Sequence, residues 1–214
     1  AVKQALPYLP ENGKTLVLYA DVPLDSLGTL RKLVRSCMRK KMSILTADID
    51  DPSGYGRIIR DKKDNPVLIR EQADATKAEK SIKEIFSGIM VIENKHLKKG
   101  VNGLVRSNVK GEYYLTDLVE FSSRRKHSVG IVKTDVREVL GANNKEELTE
   151  LYQSMTKLNL DAASKKGVFF KDRSSCFIEG QLKTGKDVNV GNNVTFKGSV
   201  VLGDNVSTVS YTHL

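Results

Sequence analysis

Few residues in this chain have the type and spacing that chemistry needs. Asp21 directly follows an apolar run, residues 15–19 (TLVLY). Open α/β sheets place ligand sites just beyond their strand ends. A carboxylate there can hold Mg²⁺, a hard ion that takes oxygen ligands and bridges phosphates, or it can cap the next helix. Gly54-Tyr55-Gly56-Arg57 forms a tight turn after Asp51-Pro52. Its glycines would let a backbone amide approach a sugar or base, although most such turns are only turns. Gly111 to Asp117 (GEYYLTD) gathers polar groups at a helix start, as a substrate wall or as plain capping. Gly141-Ala142-Asn143-Asn144 precedes a long helix; one asparagine suits its N-cap, which leaves the other free to reach a pocket. His96, His127 and His213 lie far apart and show no metal spacing. Neither a GxSxG elbow nor a GxxxxGK[ST] loop is present, so nucleophilic catalysis has no visible support and no catalytic residue is assigned.

The elements that must position these groups follow from hydrophobic periodicity. Strands are expected at 15–19, 43–49, 66–70, 88–92 and 128–133, the first and the fourth of them buried. Leu27, Leu30, Leu33, Val34, Cys37 and Met38 share one face of a helix over 27–41, with bases on the other face. A further helix is expected near 114–126. Alternating strands and helices with near-continuous apolar strands predict a mostly parallel α/β sheet. A long helix is expected over 145–164, with Asn144 and Glu147 spaced as a capping box. Leu148, Leu151, Tyr152, Met155, Leu158 and Ala162 make its apolar stripe, and Gly167 ends it. This helix reads as a connector.

The period then changes to six. Leu182, Val188, Val194, Val200 and Val206 recur every six residues, with Phe170 and Cys176 extending the phase backwards. Gly185, Gly191 and Gly203 precede such positions by three, and Asp187, Asn193 and Asn205 by one. A hexapeptide repeat with Gly, Asn and Asp at its corners marks a parallel β-helix. Cys176 then reads as a small inward-facing residue.

Composition narrows the class. The chain has 214 residues, 39% hydrophobic and 29% charged, which suits one or two folded domains. Its 35 basic and 26 acidic residues leave a net charge of +9. That permits a phosphorylated partner, but the bases are dispersed without interleaved aromatics, so nucleic acid is not the expected partner. No run approaches the about 18 apolar residues of a membrane span, and the opening residues lack the layout of a secretory signal. Two cysteines, Cys37 and Cys176, suit a reduced, cytoplasmic setting.

The ordered segments LYADVPL (18–24), DDPSGYGRIIRD (50–61), EQADAT (71–76), SIKEIFSGI (81–89), GEYYLTD (111–117) and EVLGANNKEEL (138–148) carry a resemblance. Together with residues 167–206 they resemble the bacterial bifunctional N-acetylglucosamine-1-phosphate uridylyltransferase/glucosamine-1-phosphate acetyltransferase family, GlmU. The resemblance implies a partial Rossmann-like uridylyltransferase domain at 1–144, a linker helix at 145–166 and the start of a left-handed parallel β-helix at 167–214. It implies Mg²⁺-dependent joining of UTP to N-acetylglucosamine 1-phosphate, giving UDP-N-acetylglucosamine and pyrophosphate for cell-envelope precursors. Asp21 and Asn143 match the family's metal ligands, Tyr19 and Ala20 the strand end beside the nucleotide-sugar, and Gly56, Glu71, Tyr114 and Thr116 its sugar contacts. Phe86 stands where the family has a sugar-binding asparagine.

The family's glycine-rich phosphate loop has no counterpart here, nor does most of its β-helix, which carries the acetyl-CoA and glucosamine 1-phosphate site. The chain is therefore expected to lie within a longer homotrimeric parent and to be weak or inactive alone. Two alternatives stand beside this reading: a related nucleotidyltransferase with another sugar phosphate, which Phe86 favours, and a non-catalytic nucleotidyltransferase-like β-helix subunit, which retention of Asp21 and Asn143 disfavours.

Overall fold

Ten consecutive residues, Glu84–Glu93, form the strand around which the first part of the chain is built. The computed structural model describes residues 2–24, 26–106, 108–142 and 144–210. It resolves into two units, Ala1–Gly141 and Ala142–Leu214. In chain order the first unit contains α1 (Val2–Ala5), β1 (Lys14–Val17), α2 (Leu27–Ser36), β2 (Met42–Asp48), β3 (Arg57–Arg60), β4 (Pro66–Arg70), α3 (Lys77–Lys80), β5 (Glu84–Glu93), α4 (Asn94–Asn102), α5 (Asp117–Arg124) and β6 (Val129–Lys133). The second contains α6 (Lys145–Lys165), β7 (Phe169–Phe170), β8 (Phe177–Thr184), β9 (Asn189–Val190), β10 (Thr195–Leu202) and β11 (Ser207–Thr208).

The sheet of the first unit runs β4-β3-β5-β2-β6, with β1 also on β5. On one edge of β5 lies β2. On the other, β3 meets its first half and β1 its second. All of these pairings are antiparallel, and only β2–β6 is parallel. The expectation of a mostly parallel sheet is thus corrected to a mixed one. Long apolar strands signal burial on both faces, and burial is indifferent to strand direction. The expectation of a buried strand at 15–19 is also corrected. The strand is Lys14–Val17, and Leu18 and Tyr19 are exposed, because β1 pairs with β5 alone among the described strands. Helix α2 stops at Ser36 instead of running to 41, and the helix expected at 114–126 is α5, which begins at Asp117. Strand β3 and helices α3 and α4 had no sequence expectation.

Strand β5 carries a bulge. Its register with β2 shifts between Ile44 and Thr46, and Gly88 sits at φ +87°. The Ser87 hydroxyl takes over the ladder there: it donates to the Leu45 carbonyl at 2.9 Å and accepts from the Ile89 amide at 3.1 Å. Bulges of this kind re-aim side chains and often sit beside sites.

Helix α4 and helix α5 pack a buried imidazole between them. His96 Nε2 and the Ser122 hydroxyl share a hydrogen bond of 2.7 Å, and the ring lies against Phe121 and His127. Burial, helped by the nearby His127, pushes the His96 pKa down to about 4.

In the second unit, Asn144 caps α6 by accepting from the Glu147 amide at 2.9 Å. The expected apolar stripe on α6 is corrected. Leu148, Tyr152, Met155 and Leu158 are exposed, whereas Leu151, Leu160 and Ala163 are buried. Leu160 and Ala163 join the core of this unit, and Asn159 Nδ2 donates to the Ile178 carbonyl of β8 at 3.0 Å. The packed face is set by where β8 meets the helix, which periodicity alone does not reveal. The six-residue phase points inward: Phe170, Cys176, Leu182, Val188, Val194, Val200 and Val206 all contribute to one cluster. Parallel pairing stacks Thr195 on Phe177 and Ser207 on Asn189. Asp187, Asn193 and Asn205 adopt φ of 55°, 55° and 57°, so the left-handed corners fall on the Asx residues.

Two glycines in this stack separate strain from clash. A Cβ on Gly180, at φ +140°, would lie 2.2 Å from the Gly198 carbonyl oxygen, whereas one on Gly198, at φ +70°, would meet nothing within 4 Å. Gly180→Ala is expected to destabilise by about 3 kcal/mol or more and Gly198→Ala by about 1–2 kcal/mol, read by thermal unfolding. For His96, the unfolded chain binds a proton near pH 6.5 that the folded state resists down to about 4. Stability from this group is complete above pH 6.5 and falls as pH drops towards 4. His96→Gln should shrink the loss of Tm between neutral pH and pH 5.

Candidate functional site

Strand β1 ends in a turn, with the Val22 amide donating to the Tyr19 carbonyl at 3.3 Å. Asp21 is exposed there. It is not the cap of the following helix, because Ser26 performs that role by accepting from the Thr29 amide at 3.1 Å. The Tyr19 ring lies on the bulge of β5: a Cβ on Gly88 would stand 2.6 Å from its Cδ2. Burial raises the Tyr19 phenol pKa, and the Glu71 and Asp21 carboxylates raise it further.

Glu71 and Thr116 meet across the site. Thr116 occupies the N-cap of α5, where a threonine oxygen normally accepts a backbone amide, yet it makes no such bond. Its hydroxyl instead donates to Glu71 Oε1 at 2.8 Å. Gly56 faces the same carboxylate: a Cβ there would lie 3.5 Å from Glu71 Oε2 and 2.7 Å from Ile69 Cγ2. Buried Arg57 donates to the Tyr55 carbonyl and braces this turn. The Tyr114 phenol is also raised, by partial desolvation and then by Asp74 and Glu71. Burial likewise raises the Asp117 carboxyl, with Glu120, Glu71 and Asp74 adding to it.

Tyr19, Glu71, Tyr114 and Thr116 line one cavity of about 500 Å³, a size suited to a small ligand. Its lining mixes apolar walls with a carboxylate, three phenols and a hydroxyl, a set that can recognise sugar hydroxyls. Lys3, Asn102 and Tyr113 also line it. Tyr113 stood in a quoted motif, but nothing in the sequence pattern pointed to Lys3 or Asn102. Ala20 and Asp21 follow Tyr19 and do not line the cavity. Phe86 is packed in the core with Ile44, Ile58 and Ile69, and its amide bonds the Gly56 carbonyl at 2.8 Å; it too is absent from the lining.

Asn143 lies outside the described residues. Gly141 is described: a Cβ there would be 3.2 Å from the Asp21 carbonyl oxygen, so Gly141 lies against the turn that follows β1. Among the described residues no three His, Cys, Asp or Glu side chains gather as a metal site. Mg²⁺ held by one carboxylate, one amide oxygen, waters and phosphate needs no such trio. The exposed hard carboxylate of Asp21 fits that donor set.

Because Gly88 gives its space to Tyr19, Gly88→Ala should cost about 2–3 kcal/mol from clash and positive φ together. It should also shift the Tyr19 ring resonances in NMR spectra.

No family model matches the chain. Curated relatives do. A "Bifunctional protein GlmU" of Cupriavidus taiwanensis is 42% identical over 207 residues, covering 96% of this chain and 46% of the relative. Those of Burkholderia multivorans and a Psychrobacter species are 41% and 40% identical, with 97% of this chain and 46% of each relative covered. A solved structure described as a putative glucose-1-phosphate thymidylyltransferase from Bacillus anthracis in complex with a sucrose aligns at TM-score 0.48 and 16% identity, over 62% of this chain and 50% of that one. The chain is similar to the bifunctional GlmU proteins and spans about half the length of the curated relatives it matches.

Proposed function

We propose that the first unit belongs to a nucleotidyltransferase that joins UTP to N-acetylglucosamine 1-phosphate, releasing pyrophosphate and forming UDP-N-acetylglucosamine. The observation that carries this is the Thr116–Glu71 hydrogen bond inside the Tyr19–Tyr114 cavity. A helix-capping hydroxyl is diverted to fix a carboxylate, and a fixed carboxylate can accept from sugar hydroxyls in a set geometry. The likeness to bifunctional GlmU supports the nucleotidyl-transfer class.

Chemically, a phosphate oxygen of the sugar phosphate attacks the α-phosphorus in line, and the bond to pyrophosphate breaks. When bound, Mg²⁺ neutralises phosphate charge. Asp21 and Asn143, which match the family's metal ligands, would hold it. Glu71, held by Thr116, and Tyr114 orient the sugar. Tyr19 and Ala20 border the nucleotide-sugar, and Gly56 leaves room beside Glu71.

We read the domains as 1–144 for this activity, 145–166 as a linker helix and 167–214 as the start of a left-handed hexapeptide β-helix. The stacked parallel strands and Asx corners support the last of these. Acetyl transfer from acetyl-CoA to glucosamine 1-phosphate, and trimer assembly, belong to this reading of the longer relatives. A second reading, another sugar phosphate as acceptor, is favoured by Phe86, which is buried and offers the acetamido group no polar side-chain atom.

Calorimetric titration of the chain with UDP-N-acetylglucosamine, with and without Mg²⁺, tests the proposal. Binding should strengthen with Mg²⁺, and Asp21→Asn should abolish that gain. Glu71→Gln should weaken binding about tenfold in either condition, about 1.4 kcal/mol. Tighter binding of UDP-glucose would favour the second reading, and absence of binding by either sugar nucleotide would overturn both.

A further inference from the structure

Strand direction puts a second set of groups at the opposite end of the sheet. Strands β1, β2 and β6 run the same way and β5 runs against them. The starts of the first three and the end of β5 therefore share one edge. A concavity of about 410 Å³ opens there, lined by Arg39, Lys40, Lys126, His127 and Ser128, with the Lys41–Glu93 ion pair at its side.

Three features mark it. First, the charges are uncompensated. Lys41 and Glu93 neutralise each other at 2.8 Å, but among the described residues the side chains of Arg39, Lys40 and Lys126 have no ion pair or hydrogen bond. Two helices, α2 and α5, end close by in sequence, and their C-terminal dipoles supply about half a negative charge each. That offsets about one of three cations. Second, Lys126 holds φ +57°. It follows α5, where its amide donates to the Ser123 carbonyl at 2.8 Å and the His127 amide to the Ser122 carbonyl at 3.0 Å. Glycine or asparagine is the usual residue in such a left-handed terminating position. A lysine there costs stability and aims a cation at this edge. Third, the Lys40 stem reaches over β6 at Gly130: a Cβ on Gly130 would stand 3.2 Å from Lys40 Cδ.

We propose that this concavity binds a small, multiply charged phosphoryl anion. The Arg39 guanidinium offers a planar fork for two phosphoryl oxygens, and Lys40 and Lys126 add point charges. The Ser128 hydroxyl is a neutral donor. The volume suits a small ligand. An extended nucleic acid fits less well, because the lining has no Phe, Tyr or Trp to stack bases and Glu93 closes one side with negative charge. This site is independent of the proposed transfer reaction.

The test uses inorganic tripolyphosphate as probe, with EDTA present and at about 150 mM NaCl, where loose surface attraction is largely screened. Amide NMR shifts should centre on residues 39–40 and 126–128, and the Arg39→Gln/Lys126→Gln double variant should weaken binding about tenfold or more. Lys126→Gly separates binding from folding. It relieves the backbone and removes the cation, so Tm should hold or rise while affinity falls. The proposal is overturned if the shifts spread over the surface or centre on Tyr19–Asp21. Unchanged affinity in the double variant overturns it too. So does tighter binding of a short single-stranded DNA through the same residues, which would make this a polyanion surface.

Discussion

Tyr19 can lie against the sheet only because Gly88 has no side chain. That contact depends on the bulge in β5, where Ser87 replaces two ladder bonds with its hydroxyl and Gly88 takes a left-handed φ. Remove the bulge and β5 would run straight, with a pleated side chain where the ring now sits. The ring in turn forms one wall of the cavity and places the Asp21 turn beyond it. A local backbone irregularity, stabilised by one serine, thus sets the geometry of the candidate site.

A second constraint acts at Thr116. A helix start that leaves its capping hydroxyl unused for capping gives up about 1 kcal/mol of local stability. Here the hydroxyl holds Glu71 instead. Local rules of this kind tend to break where function competes with folding. Lys126 breaks another, at the far edge of the same sheet, by accepting a conformation that glycine would adopt freely. Both departures put a polar group into a concavity, and each concavity lies at one end of strands whose directions follow from the pairing around β5.

The second unit works by a different logic. Its strands stack on strands of a neighbouring turn, so every position repeats its environment at a fixed interval. Aliphatic residues face one shared cluster. The Asx residues turn the corners. Gly180, and likewise Gly185 and Gly191, are required by close approach: a Cβ on Gly185 would lie 2.2 Å from Asp204 Oδ1, and one on Gly191 2.8 Å from the Thr208 carbonyl. The division of labour is physical. Corners need a particular φ, whereas stacking needs only the absence of a side chain.

What the sequence determined by itself was whatever repeats or caps locally. The six-residue phase, the left-handed corners at Asp187, Asn193 and Asn205, and the Asn144 cap all follow from nearest-neighbour chemistry. Tyr19, Glu71, Tyr114 and Thr116 came instead from the family resemblance of the motifs that hold them, and they gather in one cavity. Strand direction, the exposed face of α6, the core placement of Phe86 and the capture of the Thr116 hydroxyl by Glu71 were decided only in three dimensions. Each of these depends on which distant surface arrives opposite a residue, and alternation or helical spacing reports that a face is apolar without saying what will cover it.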